Sequence, residues 1–339
     1  MDSPLLTIED AVAAEFPDVG VAAHYGDPFA EQRALANAAG LVDRSNRDVL
    51  KIGGPDRLSW LNSISTQKVD QLSAGGAAES LVLSPHGHVE HHLTMVDDGA
   101  DTWIHVEAGE AASLLEFLES MRFMLKVSPA DVSARYAVLT AMGPAVLDDI
   151  AGDAVAVMRL PLRTDLVVDR SRLLAAVADL RERGLSLAGM WAHEALRIAA
   201  HRARFGTDTD HRTIPHEVGW IESAVHLDKG CYRGQETVAR VHNLGHPPRR
   251  LVLLHLDGSE NRLPPHAEPV LHEGSRIGFI GSSARHYELG PIALALVKRT
   301  VPVTSTLVAA GVSAAQEVIV PPDTGANVTI ALGRRRGGR

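Results

Sequence analysis

Apolar positions along the chain change period several times, and each change predicts an element. Residues 29–40 set Leu35 and Ala39 on one face and close on Gly40, the pattern of a helix ended by glycine. Residues 49–53 read as a strand, and Gly53-Gly54-Pro55-Asp56 as a turn into a helix through Trp60 and Leu61. Strand patterns follow at 81–84 and 89–96, and Asp97-Asp98-Gly99 supplies a hairpin turn before a strand at 102–106. Residues 110–121 carry Leu114, Leu115, Leu118 and Met121 at helical spacing. Farther on, 136–141 and 160–168 read as strands, with a helix opened by Gly143-Pro144 between them. Helices are predicted over 171–183, ended by Gly184, and over 191–202, ended near Gly206. This order is α+β rather than strict strand–helix alternation.

The pattern changes after Gly245-His246-Pro247-Pro248. Residues 250–256, 269–272, 276–281 and 292–298 are short strands separated by turns, which predicts a small C-terminal β-barrel or sandwich. The expected division is an N-terminal α+β domain over 1–133, a second α+β domain over 134–246, and the barrel over 247–332. Interleaving of the first two is left open. The tail 333–339 is Gly-Arg-Arg-Arg-Gly-Gly-Arg, which cannot bury apolar surface and is expected to be disordered.

Composition changes the picture in three ways. A chain of 339 residues exceeds one ordinary core, so several domains are expected. A net charge of −9 disfavours a whole-surface nucleic-acid binder, and direct RNA contact is left to the basic tail. No basic region followed by an apolar run opens the chain, and no run reaches the roughly 18 apolar residues that span a bilayer. A cytoplasmic protein without a membrane partner is therefore expected.

The single cysteine, Cys231, excludes an intrachain disulfide and any multi-cysteine metal or iron–sulfur site built by this chain alone. It sits in Lys229-Gly230-Cys231-Tyr232-Arg233-Gly234-Gln235-Glu236. Lys229 and Arg233 are neighbours that favour a thiolate, and Gly230 and Gly234 permit turns that hold Cys231 outward. The competing reading makes Cys231 a small buried hydrophobe. His226 and His242 flank the loop, but nothing there has the form of a thiol-protease signature.

This loop resembles the signature of the YgfZ family, whose eukaryotic relatives include a mitochondrial iron–sulfur factor; Val238-Ala239-Arg240 continues the match. His24-Tyr25-Gly26-Asp27-Pro28 and Asp43-Arg44-Ser45 resemble the opening of the wider aminomethyltransferase superfamily, which includes the T-protein of glycine cleavage. Phe205-Gly206, Pro215-His216-Glu217 and Gly290-Pro291-Ile292 continue that pattern. The resemblance implies an α+β fold of three domains round a central opening that holds tetrahydrofolate or a derivative. It also implies a role in assembling, maintaining or repairing iron–sulfur proteins, with Cys231 essential and any cluster transient or shared. Client or assembly proteins would be the partners. The alternatives are a folate-dependent aminomethyl or methyl transferase and a protein acting in tRNA modification.

Some positions depart from the superfamily. Gly87-His88-Val89-Glu90-His91-His92 puts His91 where a carboxylate is expected, beside Glu90. Leu196-Arg197-Ile198-Ala199 puts Ala199 where a glutamate reads the pterin. A carboxylate suits a pterin because it accepts two parallel N–H donors. Arg47 and His193 stand near positions that are Trp in the YgfZ family. Arg47, Glu90, His91, His193, Glu217 and Arg240 are the expected ligand-binding set, with Arg44 a further anchor for carboxylates. Glu217 has a loop-bracing alternative. His88, Glu90 and His92 would share one strand face, but ligand lining is the preferred reading and no metal site is predicted.

Overall fold

The computed structural model describes residues 2–146, 150–260 and 262–327. A short ribbon of β1 (Val12–Ala13) and β2 (Ala22–His24) leads to helix α1 (Pro28–Asn37). Asp27 caps α1, accepting from the amides of Phe29 and Ala30. Gly40 does not end this helix. It opens strand β3 (Gly40–Asp43), where an added Cβ would lie 2.4 Å from Leu35 Cδ2. Close helix–strand packing, not a cap, requires that glycine.

The first sheet comprises β4 (Asp48–Gly53), β5 (Ala77–Leu83), β6 (Val89–Asp97), β7 (Thr102–Val106) and β8 (Ser128–Asp131). Its order is β5-β6-β7-β4-β8. Helices α2 (Arg57–Ile64) and α3 (Ala111–Ser120) cover one face, burying Trp60, Leu61, Leu114 and Leu118 against Leu93, Met95 and Ile104.

The second sheet adds β9 (Tyr136–Met142), β10 (Ala156–Leu160), β11 (Arg163–Asp169) and β12 (Ser186–Ala188) to β3, in the order β10-β11-β9-β3-β12. The N-terminal segment thus supplies a strand to the second sheet, and the first two units interleave. Residues 160–168 are not one strand but parts of the β10–β11 hairpin. Gly143-Pro144 form a turn, and the helix expected after them runs into 147–149, outside the described residues. Helix α4 (Leu173–Glu182) buries Leu173, Val177 and Leu180, and α5 (Met190–Ala199) stops three residues short of its predicted end.

Residues Pro215–Val218 form a short 3-10 turn before helices α6 (Trp220–Ala224) and α7 (Gln235–Leu244). The barrel is closed by β13 (Arg249–Leu256), β14 (Pro269–His272), β15 (Ser275–His286), β16 (Gly290–Lys298), β17 (Leu307–Ala309) and β18 (Val312–Val318). The last two strands escaped the sequence pattern because β17 spans only three residues and β18 sets small or polar residues on most of its positions. Along β13 the side chains alternate: Val252 and Leu254 fill one core, whereas Leu251 and Leu253 join another. That second core also holds Leu81, Leu83, Ala195, Trp220, Tyr232 and Val238, so it locks the first sheet, α5, α6, α7 and the barrel together. The tail 333–339 lies outside the described residues. Among those residues, no helix is long and apolar enough to cross a membrane.

Candidate functional site

Most side chains of the loop 229–236 act on the scaffold. Lys229 Nζ donates to the carbonyls of Asn62, Ser65 and Gln67 at 2.6–2.7 Å. A cation there offsets the negative end of α2. Burial pushes the Lys229 amine down to about 8. Tyr232 is buried in the inter-domain core, with Lys229 Nζ 5.4 Å from its ring centroid. Arg233 bonds Glu90 at 2.6 Å and lies over Phe117. The expectation that Lys229 and Arg233 activate the thiol is therefore replaced: carbonyls hold one charge and a carboxylate the other. Cys231 is left exposed on the surface, so the buried-hydrophobe reading does not hold.

The two glycines differ. Gly234 has φ +82°, and a Cβ there would meet Ser84 O at 2.6 Å and Leu83 Cβ at 2.9 Å. Gly230 has open space around it and needs no such conformation. Gly234 precedes α7, whose first turn holds Gln235 and the exposed Glu236.

The β5–β6 hairpin carries a bulge that decides which histidine faces the centre. Leu83 pairs with Val89 and Val82 with His91, so Glu90 is the extra residue. One inserted residue reverses the alternation beyond it. Val89 therefore shares a face with His92 and not with His91, contrary to the simple strand reading. His92 lines the central cavity with Glu79 and Thr94. His91 bonds Glu110 at 3.0 Å instead. Glu90, held by Arg233, does not join His88 and His92, and among the described residues no group of three or more His, Cys, Asp or Glu could hold a metal.

The central cavity has a volume of about 80 Å³ and is walled by both α+β sheets, α5 and Trp220. Of the expected ligand-binding set, Arg47 and His193 line it, whereas Glu90, His91, Glu217 and Arg240 do not. Glu217 is fully buried and takes two hydrogen bonds from Arg249, its loop-bracing alternative, and Arg240 lies exposed on α7. What the sequence did not single out is the ion-pair network. Glu79 accepts from Arg163 and Arg202. Glu107 accepts from Arg47 and Arg204, and Glu194 from Arg197. Arg204 also holds Asp18 at 2.8 Å. The signal available in the sequence was a charged residue, Glu79, inside a strand of small and apolar neighbours.

Electrostatics follow from this network. Burial raises the Glu79 carboxyl, but the neighbouring His92, Arg163 and Arg202 together hold it at about 2. Arg204 and Arg47 push Glu107 lower still. Burial lowers His92 and His193 to about 4, so both rings are neutral at pH 7. Burial and the neighbouring Arg47 lower Arg44 to about 9.

Two larger cavities adjoin. One of about 410 Å³ shares Glu194 with the central chamber and is lined by Phe16, Phe29, Met190 and Trp191. The other, of about 560 Å³, shares Arg202, Ala203 and Trp220 with it. The centre is thus a narrow chamber between two wider mouths.

Comparison with known proteins places this architecture. Residues 9–158 match the GCVT N-terminal domain, and residues 249–329 match the glycine cleavage T-protein C-terminal barrel domain. The aminomethyltransferase of Moorella thermoacetica is 27% identical over 87% of this chain and 89% of its own length. That of Saccharopolyspora erythraea is 26% identical over 88% of this chain and 90% of its own. The crystal structure of glycine cleavage system aminomethyltransferase T from Bartonella henselae superposes with a TM-score of 0.75 at 19% identity, covering 93% of this chain and 94% of that one. By its N-terminal domain, its barrel and its fold, the chain belongs to the glycine cleavage T-protein (aminomethyltransferase) superfamily.

Proposed function

We propose that the chain is a tetrahydrofolate-binding accessory protein that supports iron–sulfur enzymes and presents Cys231 to them. The observation that carries this reading is the division of labour in the loop 229–236. Lys229, Tyr232, Arg233 and Gly234 all brace the scaffold, whereas the side chain of Cys231 is left at the surface. A single cysteine supplies at most one ligand to a cluster, so any cluster would be shared with a partner protein.

The residues round the central chamber suit part of a folate. Among the arginines that line it, Arg44 has its nearest carboxylate oxygen, on Asp165, at 3.8 Å, and its guanidinium suits a folate carboxylate. The Nε2 atom of His92 is buried without a hydrogen-bond partner. A free carboxylate for the pterin edge is missing: Ala199 carries none, and Glu79, Glu107 and Glu194 are each held by arginines.

The test is complementation. Cells lacking the native protein are supplied with wild-type chain or with Cys231→Ala, and their iron–sulfur enzymes are assayed. Loss of those activities with a folded Cys231→Ala protein is expected; full rescue would sink the thiol role.

A second reading, aminomethyl transfer to tetrahydrofolate, is favoured by the names of the curated relatives. His91 and Ala199, where carboxylates are expected, speak against it. Incubation with tetrahydrofolate and an aminomethyl donor distinguishes the two, since the transferase alone yields methylene-tetrahydrofolate.

A further inference from the structure

We infer that the tip Phe123-Met124-Leu125, with its flanking Arg122 and Lys126, is the docking element for the protein that meets Cys231, and that this partner offers an apolar cleft rimmed by carboxylates. That the partner is an iron–sulfur client or assembly protein rests on the reading above; the docking element does not.

Exposure singles out the tip. Phe123 is 81% exposed and Met124 98%, and Leu125 beside them is exposed too. Among the described residues, no other run of three consecutive large apolar side chains stands exposed. Single exposed apolar residues are ordinary, whereas a contiguous apolar patch marks a binding surface. The backbone holds the tip outward. Helix α3 ends at Ser120, the Met121 N–H still donates to the Phe117 carbonyl at 3.1 Å, and the Leu125 N–H closes a turn on the Arg122 carbonyl at 3.1 Å. The Lys126 N–H is anchored on the Asp56 carboxylate at 2.7 Å. Within that turn Phe123 has φ +48°, a conformation that bulky side chains rarely adopt. The ring so presented adds nothing to a core of this chain.

Position ties the tip to the cysteine loop. Arg233, two residues from Cys231, lies over the Phe117 ring at 5.5 Å. Phe117 and Met121 stand one helical turn apart and are both half-buried, so apolar surface continues from that ring toward the tip. From Phe117 to Met124 is roughly 10 Å at 1.5 Å per residue. A partner that covers about 800 Å², a patch about 30 Å across, takes in both. Charge then selects the partner. Arg122 and Lys126 bracket the apolar residues and are both exposed. Arg122 meets Glu119 at 3.6 Å, an exposed pair that holds the guanidinium only weakly. Cations round an apolar centre complement carboxylates round an apolar cleft. Three apolar side chains and two cations fall short of a stable hold on a bilayer, whereas two well-seated anchors make a protein hot spot.

The experiment supplies cells lacking the native protein with full-length chain at limiting expression and assays their iron–sulfur enzymes. Three paired variants are compared with wild type: Phe123→Ser with Met124→Ser, Arg122→Glu with Lys126→Glu, and the conservative Phe123→Leu with Met124→Leu. Losing a hot-spot anchor weakens binding about tenfold or more, so the serine pair and the charge reversal are expected to lower the restored activity several-fold. The leucine pair is expected to keep it. Urea midpoints and the reaction of Cys231 with Ellman's reagent should match wild type in all three. Full rescue by the serine pair overturns the docking element, and so does a loss that appears only together with a lowered urea midpoint. Full rescue by the charge reversal removes the carboxylate rim from the partner. Sedimentation of the wild-type chain alone and with phosphatidylglycerol vesicles checks other occupants. Self-association or vesicle binding that the serine pair abolishes gives the tip to a second copy or to a membrane and overturns the proposal. If Cys231→Ala rescues fully while the serine pair does not, the docking element stands and the thiol reading falls.

Discussion

The imidazole of His92 lies flat against the indole of Trp220, with ring centroids 4.7 Å apart and planes 11° from parallel. The pair forms part of the wall between the central chamber and the wider cavity of about 560 Å³. Because the indole is buried in the inter-domain core, it also ties α6 to the first sheet and the barrel.

Truncating that wall should therefore weaken the whole assembly. Trp220→Ala removes a large buried side chain, for which a loss of about 3–5 kcal/mol is expected. Urea unfolding of wild type and variant measures it. A loss under about 1 kcal/mol would show that the stack is not a structural joint.

The buried histidines set an acid limit on stability. Burial lowers His92, His193 and His216 to about 4 and His105 to about 3. Each ring is neutral in the folded chain, whereas in the unfolded chain it takes a proton near pH 6.5. The unfolded state then binds more protons below pH 6.5, so stability falls as pH drops from 6.5 toward 4. Above pH 7 these groups are neutral in both states and contribute no slope. Glu79, held at about 2, extends the loss below pH 4.5. Unfolding midpoints in urea at pH 7.5, 6.5, 5.5 and 4.5 check the window; a midpoint unchanged down to pH 5 contradicts it.

The α+β order and the barrel were legible in the sequence because each depends on local signals, whereas the exposure of Cys231 was left open between a surface and a buried reading. Periods of apolar residues marked the elements, and the loop 229–236 marked itself. The central chamber was much less legible. Glu90 as a bulge residue reverses the face of everything after it, so His92, not His91, reaches the centre. No local pattern announces such an insertion. Likewise Glu79 and Arg202 meet across 123 positions and Asp18 and Arg204 across 186, pairings that exist only once the fold has closed. Gly40 illustrates the opposite error: its local form fits a helix cap, but tertiary packing against Leu35 explains it.

The two loop glycines should respond unequally to one methyl group. Gly234→Ala forces a Cβ to 2.6 Å from Ser84 O at φ +82°, where backbone must shift. A loss of about 1–3 kcal/mol is expected from strain at such a position. Gly230→Ala meets nothing within 4 Å and should stay within about 0.5 kcal/mol of wild type. Thermal unfolding of both variants tests the contrast, and equal effects would refute it.

Lys229 and Cys231, two residues apart, should separate scaffold from chemistry. Lys229→Met leaves the carbonyls of Asn62, Ser65 and Gln67 without their donor. Because these groups are only partly buried, about 2–3 kcal/mol of destabilisation is expected rather than the sum of three fully buried losses. Cys231→Ser changes an exposed atom and should leave stability within about 0.5 kcal/mol. In the folded wild type the thiol should react with Ellman's reagent without denaturant, at one equivalent for the chain's single cysteine. Protection of that thiol until urea is added would mean that Cys231 is closed off in solution. Loss of iron–sulfur enzyme activity in cells with Cys231→Ser, alongside unchanged stability, would then assign that loss to the sulfur atom and not to the fold.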